Sequence, residues 1–96
     1  MVARTSTWAG SPDALDKWAD HVRTQVSSFV AGLPGNAGGA FFVDRDRGRA
    51  LTLTFWETEE AAAETDKSAD ASRARTVEAT GVELLERGTY EVVVRL

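Results

Sequence analysis

Between Ser11 and Leu33 the apolar residues recur every three or four positions: Leu15, Trp18, Val22, Val26, Phe29, Val30 and Leu33. That spacing predicts an amphipathic helix with one apolar stripe. Asp16, Lys17, Asp20, Arg23, Thr24 and Ser27 fall on the opposite side. Ser11 is a good N-cap, Pro12 suits the first helical position and Asp13 complements the helix dipole. Gly32, Pro34 and Gly35 end the helix. Before it, VARTSTW (Val2–Trp8) is rich in β-formers.

After it, AFFVD (Ala40–Asp44) and RALTLTFW (Arg49–Trp56) read as two strands joined by a hairpin, with Gly48 available for a positive φ. The second of these strands alternates. Leu51, Leu53 and Phe55 point one way, and Thr52, Thr54 and Trp56 the other. From Thr58 to Gly81 the chain turns to alanine and charge. Thr58 is the expected N-cap, Glu59, Glu60 and Glu64 come early, and Arg73 and Arg75 come late, an order that suits the macrodipole. A break near Asp66–Ser68 is expected, where helix propensity drops. The last strand is expected from about Val82, with a bulge at Gly88 and with Val92, Val93 and Val94 on alternating faces.

The order β-α-β-β-α-β predicts an α+β, ferredoxin-like fold with a four-stranded antiparallel sheet, in a single domain over residues 1–96. Two helices cover one face of such a sheet. Phe41 and Phe42 are adjacent and must face opposite ways, so the second face carries apolar groups as well. A sheet apolar on both faces needs a cover on both, and a second copy in a two-fold homodimer is the simplest one. Leu51, Leu53 and Phe55 are the expected contact residues.

Composition narrows the function. With 11 basic and 15 acidic residues the net charge is −4, so nucleic acid is not an expected partner. There is no cysteine, which excludes disulfides and thiolate metal sites and fits a cytoplasmic location. The N-terminal MVARTSTWAG has no continuous apolar core, so a signal peptide is not expected, and no run is long enough to cross a bilayer. Arg45, Asp46, Arg47 and Arg49 read as a solvated turn, and Glu57, Glu59, Glu60 and Glu64 as a solvated face without a calcium-loop pattern.

The segments GSPDALDKWADHVRTQV, GGAFFVDRDRGRALTLTFWETEEAAAETD and ERGTYEVVV resemble the antibiotic biosynthesis monooxygenase-like domains of the dimeric α/β-barrel superfamily. The junction LTLTFWETEEA, a strand ending in Trp before an acidic helix start, is the most specific piece. The resemblance implies a homodimer whose sheets form a barrel, and a pocket in each protomer between sheet and helices. It also implies a range of activities, including cofactor-independent oxygenation of polycyclic aromatics or quinols and haem degradation. The haem-degrading members use an Asn in the first strand, a Trp at this junction, which Trp56 matches, and a His on the second helix. This chain has Arg4, Thr5 and Ser6 in that strand and no His on that helix, so haem binding is not expected and no cofactor is assigned.

The expected pocket has Trp56, Thr54 and Thr52 as its substrate-binding wall, and the alanine-rich helix, with Ala62 and Ala63, plus the first helix as its roof. Small side chains there allow either a void or close packing. His21, the only histidine, is the candidate general base. Trp18 is read as core, Trp8 as interface or pocket rim, and Arg73 and Arg75 as solvated or as contacts for an anionic substrate. Three functions fit: a cofactor-independent monooxygenase acting on a small phenol or quinol, a non-catalytic small-molecule binder, and a structural homodimer.

Overall fold

In the computed structural model, which describes residues 1–96, four strands form one sheet under a single layer of helices. Strand β1 is Val2–Ala9, β2 is Asn36–Asp44, β3 is Arg49–Trp56 and β4 is Glu83–Glu91. Their order across the sheet is β2-β3-β1-β4 and every pair is antiparallel. This is the ferredoxin-like topology that the order of elements predicts.

The register of β1 against β3 decides what the helices cover. Val2 pairs with Trp56, Arg4 with Thr54, Ser6 with Thr52 and Trp8 with Ala50. Side chains alternate faces along a strand, so these eight share the helix side. Apolar residues stand at its two ends and polar ones in its middle. The core divides accordingly. One cluster gathers Trp8, Leu15, Trp18, Val22, Val26 and Val82. A smaller one gathers Val2, Trp56 and Ala62. Trp18 sits edge-on to Phe41 at 6.3 Å between ring centroids and 6.5 Å from Trp8.

The first helical segment begins as α1 (Pro12–His21), capped by Ser11 Oγ accepting from the Ala14 amide. It passes through one π turn at Val22–Val26 and ends as α2 (Ser27–Ala31). The spacing of the stripe accounts for the turn. Trp18, Val22, Val26 and Val30 recur at every fourth residue. In a helix of 3.6 residues per turn a four-residue step drifts by about 40°. The Ser27 amide instead donates to the Val22 carbonyl, five residues back, and this underwound turn keeps the four side chains facing the sheet. Phe29, which the sequence pattern places in the stripe, is displaced from it and is 37% exposed.

Helix α3 runs unbroken from Glu59 to Thr80, with Thr58 Oγ1 accepting from the Ala61 amide as N-cap. The expected break at Asp66–Ser68 is absent. The Asp66 and Asp70 carboxylates are held by Arg73 on the same helix, and the Thr65, Thr76 and Thr80 hydroxyls donate to carbonyls four residues back. Gly81 closes the helix at φ 80°, where its amide donates to the Val77 carbonyl. The buried stripe of α3 is Ala62, Thr65, Ala69, Ser72, Arg73, Thr76 and Thr80. No large aliphatic side chain anchors it.

Two expectations about the last strand are corrected. The register shift lies beside Leu85, where Thr7 pairs with Glu86 and Trp8 with Leu84, while Gly88 pairs regularly with Thr5. The strand stops at Glu91 because β1, its partner, starts at Val2. Val92–Val94 therefore lie outside the sheet. Beyond them Arg95 reaches back, donating to the Ala37 carbonyl and stacking 4.1 Å from the Phe55 ring centroid. Leu51, Leu53 and Phe55 are only half-buried on the sheet face away from the helices, and Phe42 and Leu85 are exposed.

Ala62 is 4% exposed and packs against Trp56, whereas Ala63 faces solvent. Ala62→Leu is expected to destabilise the fold by about 1–3 kcal/mol through overpacking. Ala63→Leu is expected to stay within about 0.5 kcal/mol of the parent. Urea unfolding of the two variants checks both values.

Candidate functional site

The polar middle of the sheet does not pack tightly against α3. It leaves a cavity of about 40 Å³, counted as space open to the centres of water molecules. That is room for roughly three waters. Arg4, Ser6 and Trp8 of β1 and Thr52 and Thr54 of β3 form the floor. Ala69, Ser72, Arg73 and Thr76 of α3 form one wall. Trp18, Val22, Val26 and Val30 form the other, with Phe41 at the β2 side. The helix stripe thus supplies the apolar wall, and the small stripe of α3 supplies volume.

Two arginines at the cavity are almost completely buried, Arg4 at 5% and Arg73 at 8% exposure. Arg4 Nη1 donates to the Ala62 carbonyl at 2.9 Å and to Thr65 Oγ1 at 3.0 Å, and its guanidinium lies 4.4 Å from the Trp56 ring centroid. It has no carboxylate in direct contact. Burial, then the like charge of Arg73, push the Arg4 guanidinium below its ordinary value, against a smaller opposing pull from Asp66 and Asp70. Arg73 Nη2 donates to Asp66 at 3.1 Å and to Asp70 at 2.8 Å. Arg87 of β4 also donates to Asp70. The hydrogen bond from Arg73 holds the Asp70 carboxyl below its usual value, despite an opposing desolvation effect. That stabilisation is complete above the ordinary carboxylate range and is lost as pH falls through the lowered value.

Two donors around the cavity have no partner. The Trp18 Nε1 and Arg73 Nε groups are buried without a hydrogen bond. An unsatisfied buried donor typically costs about 1–3 kcal/mol. The other indoles are satisfied: Trp8 Nε1 donates to Thr52 Oγ1 at 3.1 Å and Trp56 Nε1 to Thr54 Oγ1 at 3.0 Å.

Two surface grooves adjoin the cavity through shared walls. Trp18, Val22 and Phe41 also line an apolar groove of about 320 Å³ with Ala19, Val43, Arg23 and Ser27. Arg4 and Arg73 also line a polar groove of about 210 Å³, completed by Asp66, Arg87, Gly88 and Thr89. The cavity therefore lies between an apolar side and a cationic side.

Of the residues singled out from sequence, Thr52 and Thr54 line the cavity and Trp56 and His21 do not. The Trp56 indole is wholly buried beneath Arg4 and against Ala62, so the expected aromatic wall and alanine roof are one packed cluster beside the cavity. His21 is half-buried at the end of α1. Its neighbour Val22, about 100° around the helix, takes the inward direction. Arg75 is exposed, as its solvated reading requires, while Arg73 is buried and its solvated reading is corrected. No group of three or more Asp, Glu or His side chains is placed to hold a metal ion. Sequence reasoning missed Arg4, Ser6, Ser72 and Thr76. Arg4 and Ser6 were within reach, because they share the parity of Val2 and Trp8 in β1.

No protein-family model matches the chain. Two uncharacterised proteins of Mycobacterium tuberculosis, from strains CDC 1551 / Oshkosh and H37Rv, are each 34% identical to it over 61 residues. That match covers 64% of this chain, which spans only 27% of the length of those relatives. Solved structures match over nearly the whole chain. A cofactor-independent oxygenase from Streptomyces nogalater superposes with a TM-score of 0.70 at 16% identity, covering 99% of this chain and 95% of that one. A monooxygenase from Streptomyces coelicolor, solved in complex with the ligand nanaomycin D, gives 0.61 at 17% identity, with 99% and 90% covered. A Deinococcus radiodurans protein assigned provisionally to the antibiotic biosynthesis monooxygenases gives 0.68 at 17% identity, with 100% and 96% covered. This chain has the fold of these solved oxygenase-like structures.

Proposed function

We propose that the protein is a cofactor-independent monooxygenase for a small, electron-rich phenol or quinol. The observation that carries this reading is the polar cavity, where two buried guanidiniums line space for a few oxygen atoms. The aromatic body would occupy the apolar groove at Trp18, Val22 and Phe41, and its ionisable oxygen would enter the cavity. This division also answers the size of the cavity, which is too small for a ring.

Arg4 and Arg73 favour the ionised oxygen, because nearby positive charge lowers the pKa of an acid. A phenolate gives up an electron more readily than a phenol. One electron passes to dioxygen, the resulting radical and superoxide combine at carbon, and the peroxide loses water. A ring C–H carbon thereby becomes a carbonyl carbon: the inner oxygen is retained, and the outer one leaves as water with the ring hydrogen and the proton that the phenol released. Neither His21 nor any carboxylate lines the cavity, so ionisation rests on the positive field rather than on a side-chain base.

The second reading, a non-catalytic binder of the same class of molecule, is favoured by that missing base. Oxygen uptake separates the two. With 1,4-dihydroxynaphthalene as probe, the parent is expected to consume oxygen faster than the uncatalysed reaction. The rate should rise with pH as the bound substrate ionises, and His21→Ala should leave it unchanged. Ala69→Leu, which fills the cavity at a buried small residue, is expected to fold and to lower the rate by roughly tenfold or more. Saturable binding of the probe without oxygen uptake would leave the binder reading.

The assembly belongs to the same proposal. Leu51, Leu53, Phe55, Phe42 and Leu85 give the uncovered sheet face an apolar centre, and a two-fold homodimer would cover it. A stable interface of this kind should bury more than ~2,000 Å². Sedimentation at micromolar concentration is expected to give a dimer, and Leu53→Glu, which places a charge at the centre of the face, is expected to give a folded monomer.

A further inference from the structure

The polar groove between α3 and β4 holds more positive charge than its carboxylates balance. Three guanidiniums, Arg4, Arg73 and Arg87, face two carboxylates, Asp66 and Asp70. The imbalance is concentrated on the two least exposed groups. Arg4 and Arg73 are both more than nine-tenths buried, while the two carboxylates are about half exposed. Arg4 is held by one carbonyl, one hydroxyl and an indole face, none of them an anion. Arg73 keeps an unpaired Nε. A buried cation without a charge partner is costly unless an anion joins it.

The groove is also shaped for a small occupant. Arg4 on β1 pairs in register with Thr89 on β4, and Ser6 with Arg87, so Arg87 and Thr89 stand on the helix side of the sheet edge beneath α3. About 210 Å³ remain open there. Arg73 and Arg4 form the boundary with the inner cavity, so an anion in the groove would touch the same two guanidiniums that face the cavity from the other side.

We propose that this groove is a binding subsite for one small oxyanion of the carboxylate class, held by Arg4, Arg73 and Arg87 with Thr89 as a further donor. The anion completes the charge balance of the cluster and draws Arg87 partly away from Asp70. The subsite does not depend on oxygenation in the cavity. Its occupant is either the carboxylate of an aromatic ligand whose body lies in the cavity and apolar groove, or a free anion bound alone. The chemistry of recognition is the same in both.

Thermal shift and tryptophan fluorescence, with Trp56 directly beneath Arg4, test the subsite with 2-naphthoate, 2-naphthol, acetate and inorganic phosphate at constant ionic strength in chloride. At least one of the two carboxylates is expected to bind saturably and to raise the melting temperature beyond chloride. Preference for 2-naphthoate over acetate and over 2-naphthol by roughly tenfold assigns the carboxylate to an aromatic ligand, equal binding of acetate assigns a free carboxylate, and phosphate bound more tightly than either carboxylate would overturn the carboxylate class. Arg87→Gln and Thr89→Val alter half-exposed and exposed side chains and should fold. Arg87→Gln is expected to weaken the anion roughly fivefold or more, and Asp66→Asn, which removes a competing carboxylate, is expected to strengthen it. The opposite signs separate a binding role from a loss of stability. Anion effects no larger than those of chloride, or an affinity unchanged in both Arg87→Gln and Asp66→Asn, would overturn the proposal. 2-Naphthoate carries no oxidisable phenol, so its binding is independent of whether the cavity consumes oxygen.

Discussion

The buried guanidinium of Arg4 joins parts of the protein that hydrophobic packing leaves apart. It leaves β1 in the middle of the sheet, caps the indole of Trp56 and reaches the backbone and a hydroxyl of α3. α3 has little else with which to grip the sheet, since its inward stripe is alanine, serine and threonine around one arginine. A large aliphatic residue in that stripe would bind the helix by burial alone. Here directional hydrogen bonds and a cation over an aromatic face take that role. Because such contacts are short and local, they secure the Trp56 end of the helix and leave space further along.

That space is the consequence that bears on function. Close packing is the normal condition of an interior, and the cavity persists because its surroundings cannot collapse onto it. The floor is a rigid antiparallel ladder. The apolar wall is held in line by the π turn, which keeps Trp18, Val22, Val26 and Val30 facing inward. The remaining wall is kept at a distance by the volume of Arg73 and by the like charge of Arg4 and Arg73. The cavity is therefore lined by fixed positive charge rather than by apolar surface alone. Its cost is visible in the two unpaired donors, Trp18 Nε1 and Arg73 Nε.

The polarity of the surroundings follows from the same arrangement. On one side, the first helix and β2 contribute aromatic and branched aliphatic surface. On the other, α3 and β4 contribute arginine and aspartate. The likeness to solved oxygenases supplies the fold on which such a site is built. The chemistry has to be argued from the site itself, because one fold hosts many activities.

The amino-acid sequence determined the elements and their order. Strict alternation in RALTLTFW, the capping signals at Ser11 and Thr58 and the helical stripe from Leu15 onward are local patterns, and local geometry reads them directly. The two-sided apolar character of the sheet was legible for the same reason. The site was legible only in part. Thr52 and Thr54 could be placed by parity, but Trp56 shares that parity and is sealed off by an arginine 52 residues earlier in the chain. The inward direction of Arg73 was hidden because a stripe of small residues gives no hydrophobic period to read. Whether alanines leave a void or allow a helix to close is a question of distance between elements. Only the tertiary structure decided it, because the separation of α3 from the sheet is set by contacts between residues far apart in sequence.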